Sequence, residues 1–261
     1  MKIVNIGDVH GRKAVFDIID REKDADIINL TGDFFSSHEG ISEDEQIQVM
    51  EGILALKEDF GDKMHIQRGN HDLEAADYHW ARCYPNTGYK VKDWFKTHLS
   101  EYLKATEWVF VKNNLIFSHA GISKTWFNSL KVNSVEEINN LSPSELFGFT
   151  PSLDNPYDSY GDSKTQPCTW IRPQTLMKDI LDNRTQIIGH TTFMQIVHII
   201  DDKGNIGKFD KPLECEGKPV SIWCCDTALE QYLVIDDNQF TIKNTKDGRE
   251  IYSTYAGTIR S

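Results

Sequence analysis

The sequence predicts an α/β fold built from two sheets with helices outside. Three observations carry that expectation. The chain opens with a β-α-β-α-β rhythm between Lys2 and Gln67. Its second half is a run of short apolar strands with tight connections. Its 39% hydrophobic content is enough for a core across 261 residues, and its 11% aromatic content argues against disorder.

Each element follows from the local pattern. Residues 2–6 are apolar and short, as a strand buried on both faces should be. Between Arg12 and Asp24, Val15, Ile18 and Ile19 fall at helical spacing. Ile27 to Leu30 reads as a second strand that ends at Gly32-Asp33. Ser42 to Phe60 reads as a helix, with Ser42 as N-cap, Glu45 three residues later, and Ile47, Met50, Ile53 and Leu54 as the apolar stripe. Met64 to Gln67 is the third strand and leads to Gly69. This opening implies parallel pairing with right-handed crossovers.

The rhythm then changes. Trp94 to Lys104 is expected to be helical. Glu107 to Val111 and Leu115 to Ser118 flank Asn113-Asn114, a hairpin-type turn. From Ile122 to about Thr165 the chain is richer in Ser, Asn, Pro and Tyr. The segment at about 122–185 is therefore expected to form an irregular insertion in a single domain spanning 1–261. Strands are expected over Thr185–Ile188, Ile196–Ile200, Val220–Cys225, Tyr232–Ile235 and Phe240–Lys243, paired mainly antiparallel.

Composition excludes several classes. The net charge of −12 disfavours extended nucleic-acid binding, which needs a basic face. An acidic chain binds anions only where metals or local arginines reverse the potential. No apolar run approaches the roughly 20 residues that a membrane helix needs, and the first residues leave no room for a signal peptide. Cys83, Cys168, Cys215, Cys224 and Cys225 are an odd set without C-x-x-C spacing, so a reducing cytoplasm is the expected location.

The chemistry is concentrated at strand ends. Gly7-Asp8-Val9-His10-Gly11, Gly32-Asp33, Gly69-Asn70-His71-Asp72, Ser118-His119-Ala120-Gly121 and Gly189-His190-Thr191 each follow an apolar run. A lone Asp after Gly is usually a turn residue, and a lone His is usually just hydrogen-bonded. Five such groups in succession are expected to hold two cations instead, because Asp and Asn offer oxygen and His offers nitrogen. Asp8 and His10 alternate with Val9, so both can face one side of an extended segment. Asp33 is the natural bridging carboxylate between two metals, and Asn70, His119 and His190 would complete the second.

The order and spelling of these motifs resemble the calcineurin-like metallophosphoesterase superfamily. Within it, Cys225-Asp226-Thr227-Ala228 followed by Tyr232-Leu233-Val234-Ile235 is similar to the phosphoprotein-phosphatase branch, which includes phage and bacterial Ser/Thr phosphatases and symmetrical diadenosine tetraphosphatases. The resemblance implies a four-layer α/β/β/α sandwich and two metal ions drawn from manganese, iron and zinc. One would be held by Asp8, His10 and Asp33, the other by Asp33, Asn70, His119 and His190. It also implies a metal-bridging hydroxide as nucleophile, and His71 as proton donor to the leaving oxygen. An unperturbed imidazole pKa of about 6.5 suits that role; the alternative is a hydrogen bond that fixes the loop.

One departure stands out. The branch continues after the bridging carboxylate with Asp and Arg where this chain has Ser36 and Ser37. The Asp orients the catalytic histidine and the Arg clamps phosphate with a bidentate guanidinium. Arg172, in Thr169-Trp170-Ile171-Arg172-Pro173, is the best remaining clamp, with a surface pairing role as its alternative. His38 is expected to be a solvated loop residue, Arg68 structural, and Asp226 loop-ordering. Tyr157, Tyr160, Trp126, Phe147 and Phe149 could stack a base or pack the insertion, and Asp154, Asp158 and Asp162 disfavour a highly anionic substrate.

The leading expectation is a Ser/Thr-phosphatase-like phosphomonoesterase acting on a phosphorylated protein or small phosphoester. The alternatives are hydrolysis of a dinucleoside polyphosphate or phosphodiester, and a metal-binding scaffold with little activity.

Overall fold

The computed structural model describes residues 1–37, 39–78, 87–147, 163–181, 184–199, 214–215 and 218–255. His38, Cys83, Phe149, Asp154, Tyr157, Asp158, Tyr160, Asp162 and the side chains of Phe147 and Cys215 lie outside the described set. The strands are β1 (Lys2–Ile6), β2 (Ile27–Leu30), β3 (Met64–Ile66), β4 (Val109–Lys112), β5 (Leu115–Ser118), β6 (Thr185–Ile188), β7 (Val197–Ile199), β8 (Glu214–Cys215), β9 (Lys218–Pro219), β10 (Ile222–Cys224), β11 (Gln231–Asp236), β12 (Gln239–Asn244) and β13 (Glu250–Tyr255). The helices are α1 (Ala14–Arg21), α2 (Glu43–Phe60), α3 (Asn70–Ala75), α4 (Tyr89–Ala105), α5 (Lys124–Ser129), α6 (Pro143–Phe147) and α7 (Pro173–Leu176).

Two mixed sheets form the centre. One has the order β13-β12-β11-β1-β2-β3, the other β4-β5-β6-β10-β7. Strand β1 sends alternate side chains to opposite faces: Val4 and Ile6 pack with α1, α2 and α4, while Ile3 faces Phe117, Ile187 and Trp223 between the sheets. With both faces covered the strand need not alternate in polarity, which is why it reads as an apolar run. On the far side of the second sheet, Ile188, Ile222 and Cys224 pack against Leu176 and Met177. Val109 and Ile116 pack there against Trp126 and Ile138. The order of layers is thus helices, sheet, sheet, helices.

Local signals account for most boundaries. Ser42 caps α2 through a full capping box: its Oγ accepts from the Glu45 N–H, and Glu45 accepts from the Ser42 N–H. Asn113 turns between β4 and β5 at a φ of 53°. The second half pairs mainly antiparallel, as expected, at β7–β10, β8–β9, β11–β12 and β12–β13, while β5, β6 and β10 run parallel to one another. The long segment between β5 and β6 is a crossover, which a parallel return requires. Strand β13 went unread because its mixed residues present exposed Ile251 and Tyr252 at a sheet edge. Helix α3 went unread because six residues are too few for a periodic stripe. Among the described residues no helix is long and apolar enough to cross a membrane.

Candidate metal centre

The strands β1, β2 and β3 are parallel, as are β5, β6 and β10, and their carboxyl ends meet along one edge. Open α/β sheets place ligands outside the carboxyl ends of such strands. Two contacts join the ends across the sheets. The His190 N–H donates to both Asp8 carboxylate oxygens, at 3.1 and 2.9 Å. His119 Nδ1 bonds the Thr31 carbonyl at 2.7 Å.

The backbone here is bent sharply. His10 and Gly11 have φ of 46° and 76°, and the Arg12 N–H closes their turn on the Val9 carbonyl at 2.9 Å. This corrects the expectation that Asp8 and His10 share one side of an extended segment: the left-handed turn aims His10, not strand alternation. Asp33 and His190 also have positive φ, 50° and 64°. Left-handed backbone at non-glycine residues is uncommon and persists where surrounding structure holds it.

The resulting donors converge. Asp8, His10 and Asp33 each offer a ligand atom within 4.8 Å of the others, as do Asp33, His119 and His190. Asp33 belongs to both groups. Asn70, the first residue of α3, places Oδ1 2.9 Å from His119 Nε2 and 2.9 Å from His190 Nδ1. All six residues are buried, so the centre is shielded from bulk water.

Ring tautomers follow from the carbonyls around them, since a carbonyl only accepts. His10 Nδ1 donates to Phe35, His119 Nδ1 to Thr31, and His190 Nε2 to Trp170. The other nitrogen of each ring faces the carboxylates or the Asn70 amide. Fixing one ring nitrogen on a backbone carbonyl so that the other can ligate is the pattern of metal-binding histidines. The Asp, Asn and His donor set fits divalent cations.

Electrostatics agree with that fit. Burial alone would lower the His119 pKa, but the Asp33 and Asp8 carboxylates outweigh it and hold it up to about 10. Burial also raises Asp33, yet His119 and His71 hold it far below the usual carboxylate range. Burial and the nearby Asp226 push Asp8 well up, while burial pushes His190 and His10 down. Divalent cations would offset the charge of these converging electron pairs.

The remaining predicted residues take definite places. The His71 ring lies edge-on to His10 with centroids 5.3 Å apart, and the His71 backbone N–H donates to Asp33 Oδ1 at 2.9 Å. Arg172 Nη1 donates to the His190 carbonyl and to Thr191 Oγ1, and its guanidinium lies 5.5 Å from the Trp170 ring. Asp226 orders a loop, as expected: it accepts from Thr192 Oγ1 and the Ala228 N–H. Arg68 is structural, stacked over Trp108 and bonded to Thr106. Trp126 is buried core. Ser36 does not turn toward His71; its Oγ meets Thr87 Oγ1 at 2.6 Å, which donates onward to Glu74.

Sequence reasoning missed Asp72. Its carboxylate accepts from the Asp33, Phe34 and Gly69 N–H groups at 3.0, 2.7 and 3.0 Å, tying two ligand loops together. Burial and the neighbouring Asp33 raise its pKa to about 7, against those donors. An acidic residue three positions after the Gly69 N-cap was the available signal. Thr31, whose Oγ1 donates to Asp8 at 3.1 Å, carried no such signal.

Comparison with known proteins places this geometry. Solved structures that superpose on the chain include a cold-active protein-tyrosine phosphatase from a Shewanella species, at 15% identity and a TM-score of 0.61, covering 95% of this chain and 79% of that one. A protein serine/threonine phosphatase from Saccharomyces cerevisiae superposes at 13% identity and a TM-score of 0.53, covering 91% and 73%. A metallophosphoesterase from Sphaerobacter thermophilus does so at 14% and 0.50, covering 91% and 84%. No curated protein matches by sequence. The fold of these structures, the donor groups at one buried edge and the match of residues 1–191 to a phosphoesterase family model together define a metal-dependent phosphoester hydrolase. The chain belongs to the calcineurin-like phosphoesterase family, which matches residues 1–191.

Proposed function

We propose that this protein is a dinuclear phosphomonoesterase of the Ser/Thr-phosphatase type. The observation that carries the reading is the sharing of Asp33 between two donor groups, with His71 beside both. Asp8, His10 and Asp33 would hold one cation; Asp33, Asn70, His119 and His190 would hold the second, with manganese, iron or zinc as the ions. When bound, such a pair supplies Lewis-acid charge to phosphoryl oxygens and lowers the pKa of a coordinated water.

The chain's own groups do the rest. His71 gives a proton to the leaving oxygen, from an α3 position that its backbone N–H fixes by donating to Asp33. Asn70 orients substrate as well as ligating. Arg172 meets the substrate phosphate from the His190 side, held in place by the His190 carbonyl and Thr191. Burial of the donors excludes water and strengthens each electrostatic contact. The substrate is a phosphorylated protein or small phosphoester. The −12 charge speaks against nucleic acid, and the unpaired buried Cys168, Cys224 and Cys225 support a cytoplasmic location. The catalytic unit is the single domain 1–261, with the segment at about 122–185 as an insertion.

Ser37 favours a second reading, hydrolysis of a dinucleoside polyphosphate or phosphodiester, because a serine offers no fork for a dianionic monoester. Hydrolysis of an aryl phosphomonoester and of its bis-aryl diester by manganese-reconstituted protein separates the two, with Asp33→Asn as control. Monoester preference lost in the control supports the proposal. Diester preference selects the second reading, and two bound metals without turnover would reject both in favour of a scaffold.

A further inference from the structure

We propose that Arg12 is a phosphate-binding residue of this site and that Glu39 is its internal competitor. The substrate class rests on the phosphoesterase reading above; the contact itself rests on geometry. Arg12 closes the same tight turn that aims His10. Its guanidinium Nη1 donates to the Val9 carbonyl at 3.3 Å, which folds the side chain back over that turn. Arg12 follows His10 by two residues and its guanidinium reaches back to the turn that carries His10, so the pair flanks the first donor group.

The fork of Arg12 is occupied by a carboxylate. Nε donates to Glu39 Oε2 at 3.1 Å and Nη2 to Oε1 at 2.9 Å. Two parallel N–H donors on two oxygens is the geometry with which a guanidinium also takes phosphate. The two partners are unequal: the Arg12 side chain is 13% exposed, the Glu39 side chain 52%. The cation is therefore anchored, while the anion can leave into water.

The segment around Ser37 has a part in this. Ser37 Oγ accepts from the Glu39 N–H at 3.1 Å, a short turn that sets Glu39 against Arg12. Where the sequence lacks a guanidinium after Asp33, the fold delivers a carboxylate to a guanidinium from the preceding motif. Arg172 bonds the His190 loop and Arg68 is turned into Trp108. Arg12 thus gives the His10 turn its own cation, as Arg172 does the His190 loop. An incoming phosphate displaces Glu39 and takes the fork.

The test is binding of inorganic phosphate to the full-length, metal-reconstituted protein, followed by calorimetry, together with KM for an aryl phosphate. Arg12→Ala is expected to weaken phosphate binding and raise KM by about tenfold. Arg12→Lys keeps the charge, loses the fork and recovers only part. Glu39→Gln removes the competing charge, keeps the shape and is expected to bind phosphate several-fold tighter. Metal content and circular dichroism confirm that each variant is folded and loaded. Phosphate binding unchanged in Arg12→Ala, fully recovered in Arg12→Lys, or no tighter in Glu39→Gln would overturn the proposal. Should the wild type bind phosphate without hydrolysing esters, the phosphoesterase reading fails while the same titrations still decide the role of Arg12.

Discussion

The Asp33 carboxylate occupies the space in which a β-carbon on Gly69 would stand. The same hypothetical atom would collide with the Asp33 backbone nitrogen. Gly69 has an ordinary φ of −92°, so it is needed for close approach and not for a left-handed turn. Gly189 stands in the same relation to the Asp8 carboxylate.

That contact makes Gly69→Ala a test of the centre. The methyl group forces Asp33 off both donor groups, and overpacking of this kind costs about 1–3 kcal/mol. Metal content should fall below two ions and turnover by at least about a hundredfold. Gly61→Ala at the end of α2, whose added carbon meets nothing within 4 Å but whose φ of 56° strains an alanine, is the control: it should lose stability and keep both ions and turnover.

Asp72→Asn should destabilise more than its conservative shape suggests. The carboxylate accepts three buried N–H groups, and an amide turns donors toward some of them. Leaving buried donors unpaired costs about 1–3 kcal/mol each, so a loss of about 2–4 kcal/mol is expected in urea melts.

Removing metal should lower thermal stability and abolish turnover together. Asp8 and Asp33 are buried carboxylates whose charge cations would offset, and a ligand bound only to the native state stabilises it by mass action. Chelated protein should melt several degrees lower, with manganese restoring both properties. An unchanged melting curve would show that the donor groups hold nothing.

Glu22 predicts an acid-side loss of stability away from the centre. Burial would raise its pKa, but Lys2, Lys243 and Tyr232 hydrogen-bond the carboxylate and hold it down, from 4.5 to about 2. The folded state therefore binds this proton less readily than the unfolded state. The stabilisation is fully present above about pH 4.5 and is lost as pH falls toward 2. With both lysines partly in solvent it is worth about 1–2 kcal/mol. Glu22→Gln should flatten stability against pH in that window, and an unchanged slope would remove Glu22 from acid unfolding.

Arg172→Ala should raise KM for phosphate substrates by about five- to tenfold. Its bonds to the His190 carbonyl and Thr191 also brace the loop, so metal content must be measured alongside. Unchanged kinetics with full metal would make Arg172 a brace only.

Much of the site was legible because metal ligands need few residue types and strand ends follow apolar runs. Asp8, His10, Asp33, Asn70, His119 and His190 meet as the motifs implied. Arg172, expected as a phosphate clamp, bonds the His190 carbonyl and Thr191, a contact that the sequence did not indicate. Asp72 and Thr31 were silent, since each acts on backbone or carboxylate groups brought near by folding. The substitution at Ser36 named what was missing and not where the hydroxyl would turn.

The sequence by itself determined the layer order, the ligand types and the chemistry they can support. Apolar periodicity decides which faces are buried, and glycine at a strand end decides where a side chain can be approached closely. Only the tertiary structure decided that β5, β6 and β10 run parallel, that His10 is aimed by a left-handed turn, and that Glu39 sits in the Arg12 fork. Those facts depend on groups far apart in the chain. Their pairing is selected by global packing, which no local pattern records.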